Sequence, residues 1–451
     1  MSGKISAKDQ DYPKVLVVNG FPFGDASATS LTMSSLFKGW PSNRLACIYT
    51  DPYTSPDVSF CEYNWYLGRN GIKLFSPKQS YNKLSSTDKN LEHEKINATN
   101  SSSWKSNLMK TTWFKYLRRI KLMIPRQGVR DLFNYKISAQ LAEVIDDFNP
   151  EIIYTMLGSR PMIQLCRDIV DIKQLPLIIH FMDDWPATLY KRSVLRLYLR
   201  PALKNGLDNL LKRSKYRLTI GDAMAEEFSH RYGGEYLSFM NSVEEQILRE
   251  PPKLPEEKAS IQFIYIGGLH LKRWTSLLKI GRALDSINNE GFRLRCLIYT
   301  NPRYAGEAKL LSKSSSIDIK GSIQKQDIHV ALSNSDIAIH VESFDKHNRQ
   351  FTKYSISTKI PECMAAARPI LAFGPRELAS MAYIERVGCG IVVGEESDTL
   401  LINAIKEMIQ SHSLRLSLAR RGYLAAKENH NASIERNRFR HILLSAANEC
   451  D

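Results

Sequence analysis

Residues 351–375 read FTKYSISTKIPECMAAARPILAFGP, and this stretch decides the fold. Ser355, Ser357 and Thr358 end a hydroxyl-rich loop. Pro361 suits a first helical turn, where its missing N–H would have had no partner, and CMAAA propagates a closely packed helix. PILAFG then reads as a buried parallel strand. Glu362 falls near the helix N-terminus. The unpaired N–H groups and partial positive charge there suit an anion such as a diphosphate, while the carboxylate can accept hydrogen bonds from a sugar diol. The same residues also fit a plain capped helix on a Rossmann-like sheet, with Glu362 only favouring the dipole.

A chain of 451 residues exceeds one ordinary domain and predicts two, of about 200 residues each. An apolar content of 43% suffices for two cores. The seven cysteines, Cys47, Cys61, Cys166, Cys296, Cys363, Cys389 and Cys450, are scattered without a C-x-x-C pair. With no secretory apolar region at the N-terminus, a reducing cytoplasm is expected, and the sequons at Asn97, Asn100 and Asn431 carry no meaning there. No run approaches the ~20 apolar residues of a membrane-spanning helix. A net charge of +15 implies an anionic partner: nucleic acid, anionic lipid or a phosphorylated substrate.

KVLVVN (14–19), followed by GFPFGDAS and an apolar-spaced helix over about 26–38, is a βα opening. Gly20 and Gly24 permit a tight turn or close approach to a ligand, although their spacing is not G-x-G-x-x-G. Arg44–Thr50 is the second strand. Residues 77–103, rich in Ser, Asn, Lys and Glu, read as an exposed insertion. From Trp104 to Arg130 eight cations (Lys105, Lys110, Lys115, Arg118, Arg119, Lys121, Arg126, Arg130) interleave with Trp113, Phe114, Tyr116 and aliphatic residues, without an acid. That pattern suits an interfacial helix on anionic lipid, and equally a solvated basic face. Lys191–Arg217 repeats it with Asp208 as the one counter-charge. Further strands at 152–156, 175–181 and 217–220 alternate with helix-length segments. Residues 241–260, with PPKLPEEK, read as a stiff linker. A second βα series follows at 261–268, 293–300, 317–321, 337–342, 369–373 and 390–394, and the chain is helical in pattern from about Ser413.

The 351–375 stretch resembles the nucleotide-sugar site of the retaining glycosyltransferases of family four, which have the GT-B fold. In most of those enzymes two glutamates lie eight positions apart. Glu362 matches the second, which holds the donor ribose. The first falls on Tyr354, and STKIPECMAAARPILAFGP is similar to a branch in which a Ser-Thr-Lys loop takes that place. The resemblance implies an α/β, GT-B architecture of two Rossmann-like domains facing each other across a cleft. Residues 12–245 would bind the acceptor and 260–429 the nucleotide-sugar, with a C-terminal helix at about 430–451 packing back on the first domain. It also implies donor contacts from Gly20, Gly24, Ser322, Ser355, Ser357 and Thr358, and a base held by backbone groups of Gly321–Ile323 and Glu342–Ser343.

Glycosyl transfer needs preorganised positive charge on the leaving diphosphate. GGLHLKRW (267–274) supplies Arg273, with Lys272 beside it; in the resembled family a cation from this region grips the diphosphate, and an ordinary helix-start residue is the plain alternative. IIHFMDDWP (178–186) ends a strand with His180, Asp183 and Asp184, where an α/β crevice collects its ligands. His180 matches a family histidine that contacts the donor sugar, and Asp183 is the candidate for orienting the acceptor hydroxyl or His180. One Asp-Asp pair is a weak cation signature, so neither metal nor cofactor is expected. Asp222 reads as a helix cap.

The expected activity is a hexosyltransferase-type transfer from a nucleotide-sugar to a saccharide or lipid-diphosphate acceptor in cell-surface polysaccharide or glycolipid synthesis. The enzyme would be cytoplasmic, or peripheral on the inner membrane face through 104–130 and 191–217. The competing readings are a GT-B nucleotide-sugar epimerase, a non-catalytic partner of that fold, and a basic nucleic-acid-binding protein. No nucleic-acid module is apparent, and no nucleic acid is expected as a partner.

Overall fold

The computed structural model describes residues 11–25, 27–68, 71–75, 128, 130–249, 252 and 254–448. The insertion expected at 77–103 and all but two residues of the basic segment 104–130 lie outside them.

Fourteen described strands form two sheets. The first carries β1 (Val15–Asn19), β2 (Leu45–Tyr49), β3 (Tyr63–Gly68), β4 (Gly71–Phe75), β5 (Ile152–Thr155), β6 (Leu177–Phe181), β7 (Ser214–Thr219) and β8 (Leu237–Ser238), in the order β4-β3-β2-β1-β5-β6-β7-β8. β1 pairs parallel to β2 and to β5, and every residue of β1 is buried. β4 runs antiparallel to β3.

The second sheet carries β9 (Ser260–Ile266), β10 (Arg293–Tyr299), β11 (Ile317–Gly321), β12 (Ile337–Val341), β13 (Ile370–Phe373) and β14 (Gly390–Val393), in the order β11-β10-β9-β12-β13-β14. All of its pairs are parallel. This is the doubly wound 3-2-1-4-5-6 order, whose direction of progression reverses between β9 and β12. Helices cover both faces, and the inner strands β12 and β13 are buried along their whole lengths. In β13, Leu371 and Phe373 join one core, with the helices Arg273–Asn288 and Asp398–Gln410; Ile370 and Ala372 join the other, with the helices Lys359–Ala365 and Ala379–Val387. Each large apolar side chain buried this way contributes about 1.5–3 kcal/mol.

By contact the chain divides into two compact units. One comprises Met1–His180, Thr188–Arg217 and Arg440–Asp451, the other Phe181–Ala187 and Leu218–Phe439. Residues 218–245, expected with the first domain, therefore group with the second. Gly221 lies directly beneath Ile356, and Val243 bridges to Asn431.

Most expected strands recur with ends moved by one to three residues. Three expectations change. β3 and β4 were not anticipated. The expected linker contains a helix, Glu245–Arg249, whose Leu248 is buried and whose Leu248 carbonyl accepts from the Tyr423 hydroxyl at 2.8 Å, so this stretch packs rather than spans. Asp222 is the first helical residue after Gly221 and caps nothing; it accepts from Ser238 instead.

Candidate active site

In an open α/β sheet, ligands collect beyond the strand ends where the order reverses. In the second sheet those ends are Ile266 and Val341. After Ile266 the chain leaves through Gly267 and Gly268, where a Cβ would stand 2.8 Å from the Tyr265 hydroxyl and 2.5 Å from Nδ1 of His270. A side chain at either position would have to displace these groups. Leu271 and Lys272 follow with φ of 56° and 59°, a left-handed conformation that disfavours each by roughly 1–2 kcal/mol. The strain is held by tertiary contacts: Asn348 Nδ2 donates to the Leu271 carbonyl at 2.8 Å, and Lys272 Nζ meets Asp345 Oδ2 at 2.8 Å.

This turn delivers Arg273, the first residue of helix Arg273–Asn288, to the residue that follows β12. There Arg273 Nη2 donates to Glu342 Oε1 at 2.7 Å, with the Glu342 side chain only 4% exposed. Burial works most strongly against the charged guanidinium, but Glu342, together with Tyr265 and Asp183, outweighs it and holds the Arg273 pKa above its ordinary value. Arg273 Nε is buried and meets no acceptor among the described residues. His340, also buried, lies with Nε2 3.9 Å from Glu342 Oε1; burial lowers its pKa to about 4, so it is neutral at pH 7 and leaves Arg273 to balance the carboxylate. His270 is likewise lowered to about 4, by burial and then by Arg273, and its Nδ1 lies 3.1 Å from the Tyr304 hydroxyl.

The segment Phe181–Ala187 brings a second acid to the same unit. Asp183 Oδ1 accepts from Ser355 Oγ at 2.9 Å, and that hydroxyl also lies 3.2 Å from the Met182 carbonyl. Burial raises the Asp183 pKa to about 6; the Ser355 hydrogen bond and Arg273 pull it down, while Glu342 and Asp184 push it up. Arg273, Glu342, Asp183 and Ser355 thus form one electrostatic cluster. Asp184, nearly inaccessible, takes both ends of the Arg231 guanidinium at 2.7 and 3.1 Å, and Arg231 also meets Glu227 at 2.7 Å. The adjacent aspartates are therefore committed to different partners.

Tyr354 occupies the position where most of the resembled family has a glutamate. Its ring lies 5.9 Å from the Arg231 guanidinium and 4.8 Å from Lys353 Nζ. Ser357 Oγ accepts from the Lys359 N–H at 3.4 Å, and Thr358 occupies the cap position of helix Lys359–Ala365 without a side-chain cap bond. Pro361 and Glu362 lie in its first turns, as the sequence predicts. Glu362 Oε2 is 2.8 Å from Lys359 Nζ, so its carboxylate carries a local cation. Ser322 is exposed beyond the edge strand β11, after Gly321 with φ of 75°.

In the first unit, Gly20 follows β1 and its carbonyl accepts from the Thr50 and Asp51 N–H groups. Gly24 has φ of 140° and is tied to helix Ala28–Leu36 by two bonds with Ser34, at 2.9 and 3.2 Å. His180 is fully buried in β6, with Nδ1 2.7 Å from the Tyr154 hydroxyl. Asp183 thus bonds Ser355, and the partner at His180 Nδ1 is Tyr154.

Sequence reasoning reached Glu342 only through its backbone, as a contact to the base and not as the carboxylate partner of Arg273, and it did not identify His340 or Arg231 as site residues. A signal existed for Glu342 and His340: in IAIHVE, two ionisable groups interrupt an otherwise apolar strand. None existed for Arg231, which reads as an ordinary helix-end cation.

Two doubly wound α/β sheets, each with a glycine-bearing loop after its first strand, are the GT-B fold. The sequence matches no family model, and no curated protein matches it. Solved structures do. Alr3699/HepE of Anabaena, solved in complex with UDP-glucose, aligns with a TM-score of 0.60 over 96% of this chain and 100% of its own, at 12% identity. Sucrose-phosphate synthase of Thermosynechococcus elongatus aligns with a TM-score of 0.59 over 95% of this chain and 98% of its own, at 11% identity. WaaG, a glycosyltransferase involved in lipopolysaccharide biosynthesis, aligns at 0.57 over 94% and 98%, at 10% identity. At such identities the likeness is one of fold.

Proposed function

We propose that the chain is a retaining glycosyltransferase, of hexosyltransferase type, that moves a sugar from a nucleotide-sugar to a saccharide or lipid-linked acceptor in cell-surface polysaccharide or glycolipid synthesis. One observation carries the reading. At the reversal point of the second sheet a buried guanidinium, Arg273, is aimed by a strained turn, and its Nε donor has no protein acceptor among the described residues. A group of that kind suits a diphosphate oxygen. The relatives in fold point the same way, since HepE was solved with UDP and with UDP-glucose, and WaaG acts in lipopolysaccharide biosynthesis.

In the proposed reaction the bond from the sugar C1 to the diphosphate oxygen breaks, and that oxygen keeps the electron pair. The acceptor hydroxyl forms its bond to C1 on the same face and gives its proton to the departing diphosphate. Arg273, with Lys272 beside it, stabilises the charge that grows on the leaving group. Glu362, by this reading, receives hydrogen bonds from the ribose diol, with Ser355, Ser357 and Thr358 along the loop before it. Tyr354 replaces a carboxylate, which assigns the sugar-ring contact on this loop to a phenol set among cations.

A thermal-shift panel of nucleotide-sugars identifies the donor, because a ligand bound only by the folded form raises apparent stability. Release of free nucleotide from that donor should then fall by at least tenfold in Arg273→Ala and in Glu362→Ala. Unchanged turnover in both refutes the site. Product analysis with and without acceptor separates transfer from epimerisation, which needs no acceptor.

A further inference from the structure

The helix Arg196–Arg213 buries Leu199, Leu203, Leu207 and Leu210 along one stripe. Its opposite side, and the turn before it, do not obey the usual rule for an outward face. Leu197 is 84% exposed, Val194 61% and Tyr198 58%. Between Leu189 and Leu207 there are five cations and no acid, and Lys191, Arg192 and Arg196 are all exposed. A second apolar stretch is pinned alongside. Asp131 accepts from the Tyr190 hydroxyl at 2.7 Å, Arg160 donates to the carbonyls of Asp131 and Leu132, and a Cβ on Gly128 would stand 2.7 Å from Leu199 Cδ1. Next to that anchor Phe133 is 67% exposed.

Large apolar side chains gathered at a surface mark an interaction site, and a rim of uncompensated cations states the charge of its partner. Aliphatic and aromatic groups at the tip with Lys and Arg around them match the boundary layer of an anionic bilayer, where the apolar groups enter and the cations stay with the headgroups. We propose that Val194, Leu197 and Tyr198, bordered by Phe133 and rimmed by Lys191, Arg192 and Arg196, dock this protein on an anionic lipid surface. The occupant is a bilayer rather than a polynucleotide because the most exposed group, Leu197, is aliphatic, as is Val194, and aliphatic side chains gain nothing beside phosphates and sugars.

The test is flotation of the full chain with vesicles of phosphatidylcholine alone or with one part in about three of phosphatidylglycerol. It needs no donor or acceptor and so reads independently of the proposed transfer. The parent protein is expected to float with the anionic vesicles only. Neutralising Lys191, Arg192 and Arg196 to Gln should weaken partition on the order of a hundredfold, at about a factor of five per cation. The pair Leu197→Glu with Tyr198→Glu should weaken it at least tenfold, with an unchanged melting temperature in solution as the check on folding. Equal flotation with neutral vesicles, or a Leu197/Tyr198 pair that binds as the parent does, overturns the proposal, the latter even if another segment holds lipid. So does a parent that fails to float and that the pair converts from dimer to monomer by light scattering, which assigns the face to a second copy.

Discussion

Asp183 is a carboxyl held at about 6 mainly by burial, against an ordinary value of 3.8, and this makes its charge a liability to stability at neutral pH. Between those two values the folded chain keeps a proton that the unfolded chain has released. Stability therefore falls as pH rises through the window and stays lowered above it. A shift of about two pH units corresponds to about 3 kcal/mol as an upper figure. Asp183→Asn removes the charge and keeps an oxygen for the Ser355 hydroxyl 2.9 Å away. The variant should be the more stable protein at pH 7.5, by about 1–3 kcal/mol, and no more stable at pH 4. For a unit of about 230 residues, 1 kcal/mol moves the melting temperature by about 2–4 °C. Calorimetric scans of parent and variant at half-unit steps from pH 4 to 8 read this directly. Titration of His270 and His340, both lowered to about 4, is common to the two proteins and cancels in the difference. A gap of constant size across the range, or an Asn variant that melts lower at pH 7.5, refutes the argument that burial dominates at Asp183.

Three further substitutions probe the same unit. Arg231→Ala leaves Asp184 buried without its bidentate partner, and should destabilise toward the lower end of about 3–5 kcal/mol, since Arg231 retains some exposure; a denaturation midpoint equal to that of the parent counts against it. Glu342→Gln removes the charge that compensates Arg273; the variant should melt lower while binding a nucleoside diphosphate more tightly, as read by calorimetric titration, and weaker binding contradicts the assignment of Arg273 to the anion. Gly374→Ala places a Cβ 2.9 Å from the Glu342 Cβ and 3.1 Å from its backbone nitrogen, which should cost about 1–3 kcal/mol in urea unfolding; no loss means that the end of β12 yields freely.

The doubled α/β plan was legible because parallel strands covered on both faces read as unbroken apolar runs, as in KVLVVN, IQFIYIGG and PILAFG. β3 and β4 were not, since YNWYLG and GIKLF mix aromatic, polar and glycine residues near a polar insertion. In PPKLPEEK the prolines dominate the reading and hide the short helix before them, whose Leu248 is held by packing rather than by propensity. At the site, individual chemical groups were legible and their pairings were not. Arg273 stands out in GGLHLKRW, but the two left-handed residues that aim it are a leucine and a lysine, which announce nothing about positive φ. Its partner Glu342 lies 69 positions away, and Ser355 lies 172 from Asp183. Separations of that size are set by which strands become neighbours, which a single sequence does not encode locally. The electrostatics follow from those pairings: Asp183 resembles any exposed aspartate in the string HFMDDWP. It holds its proton toward neutrality only because packing removes it from water beside Glu342 and Asp184, with one hydroxyl and one distant guanidinium in compensation. A substitution that altered strand order without touching a site residue would therefore erase the site's chemistry while leaving every motif in the sequence intact.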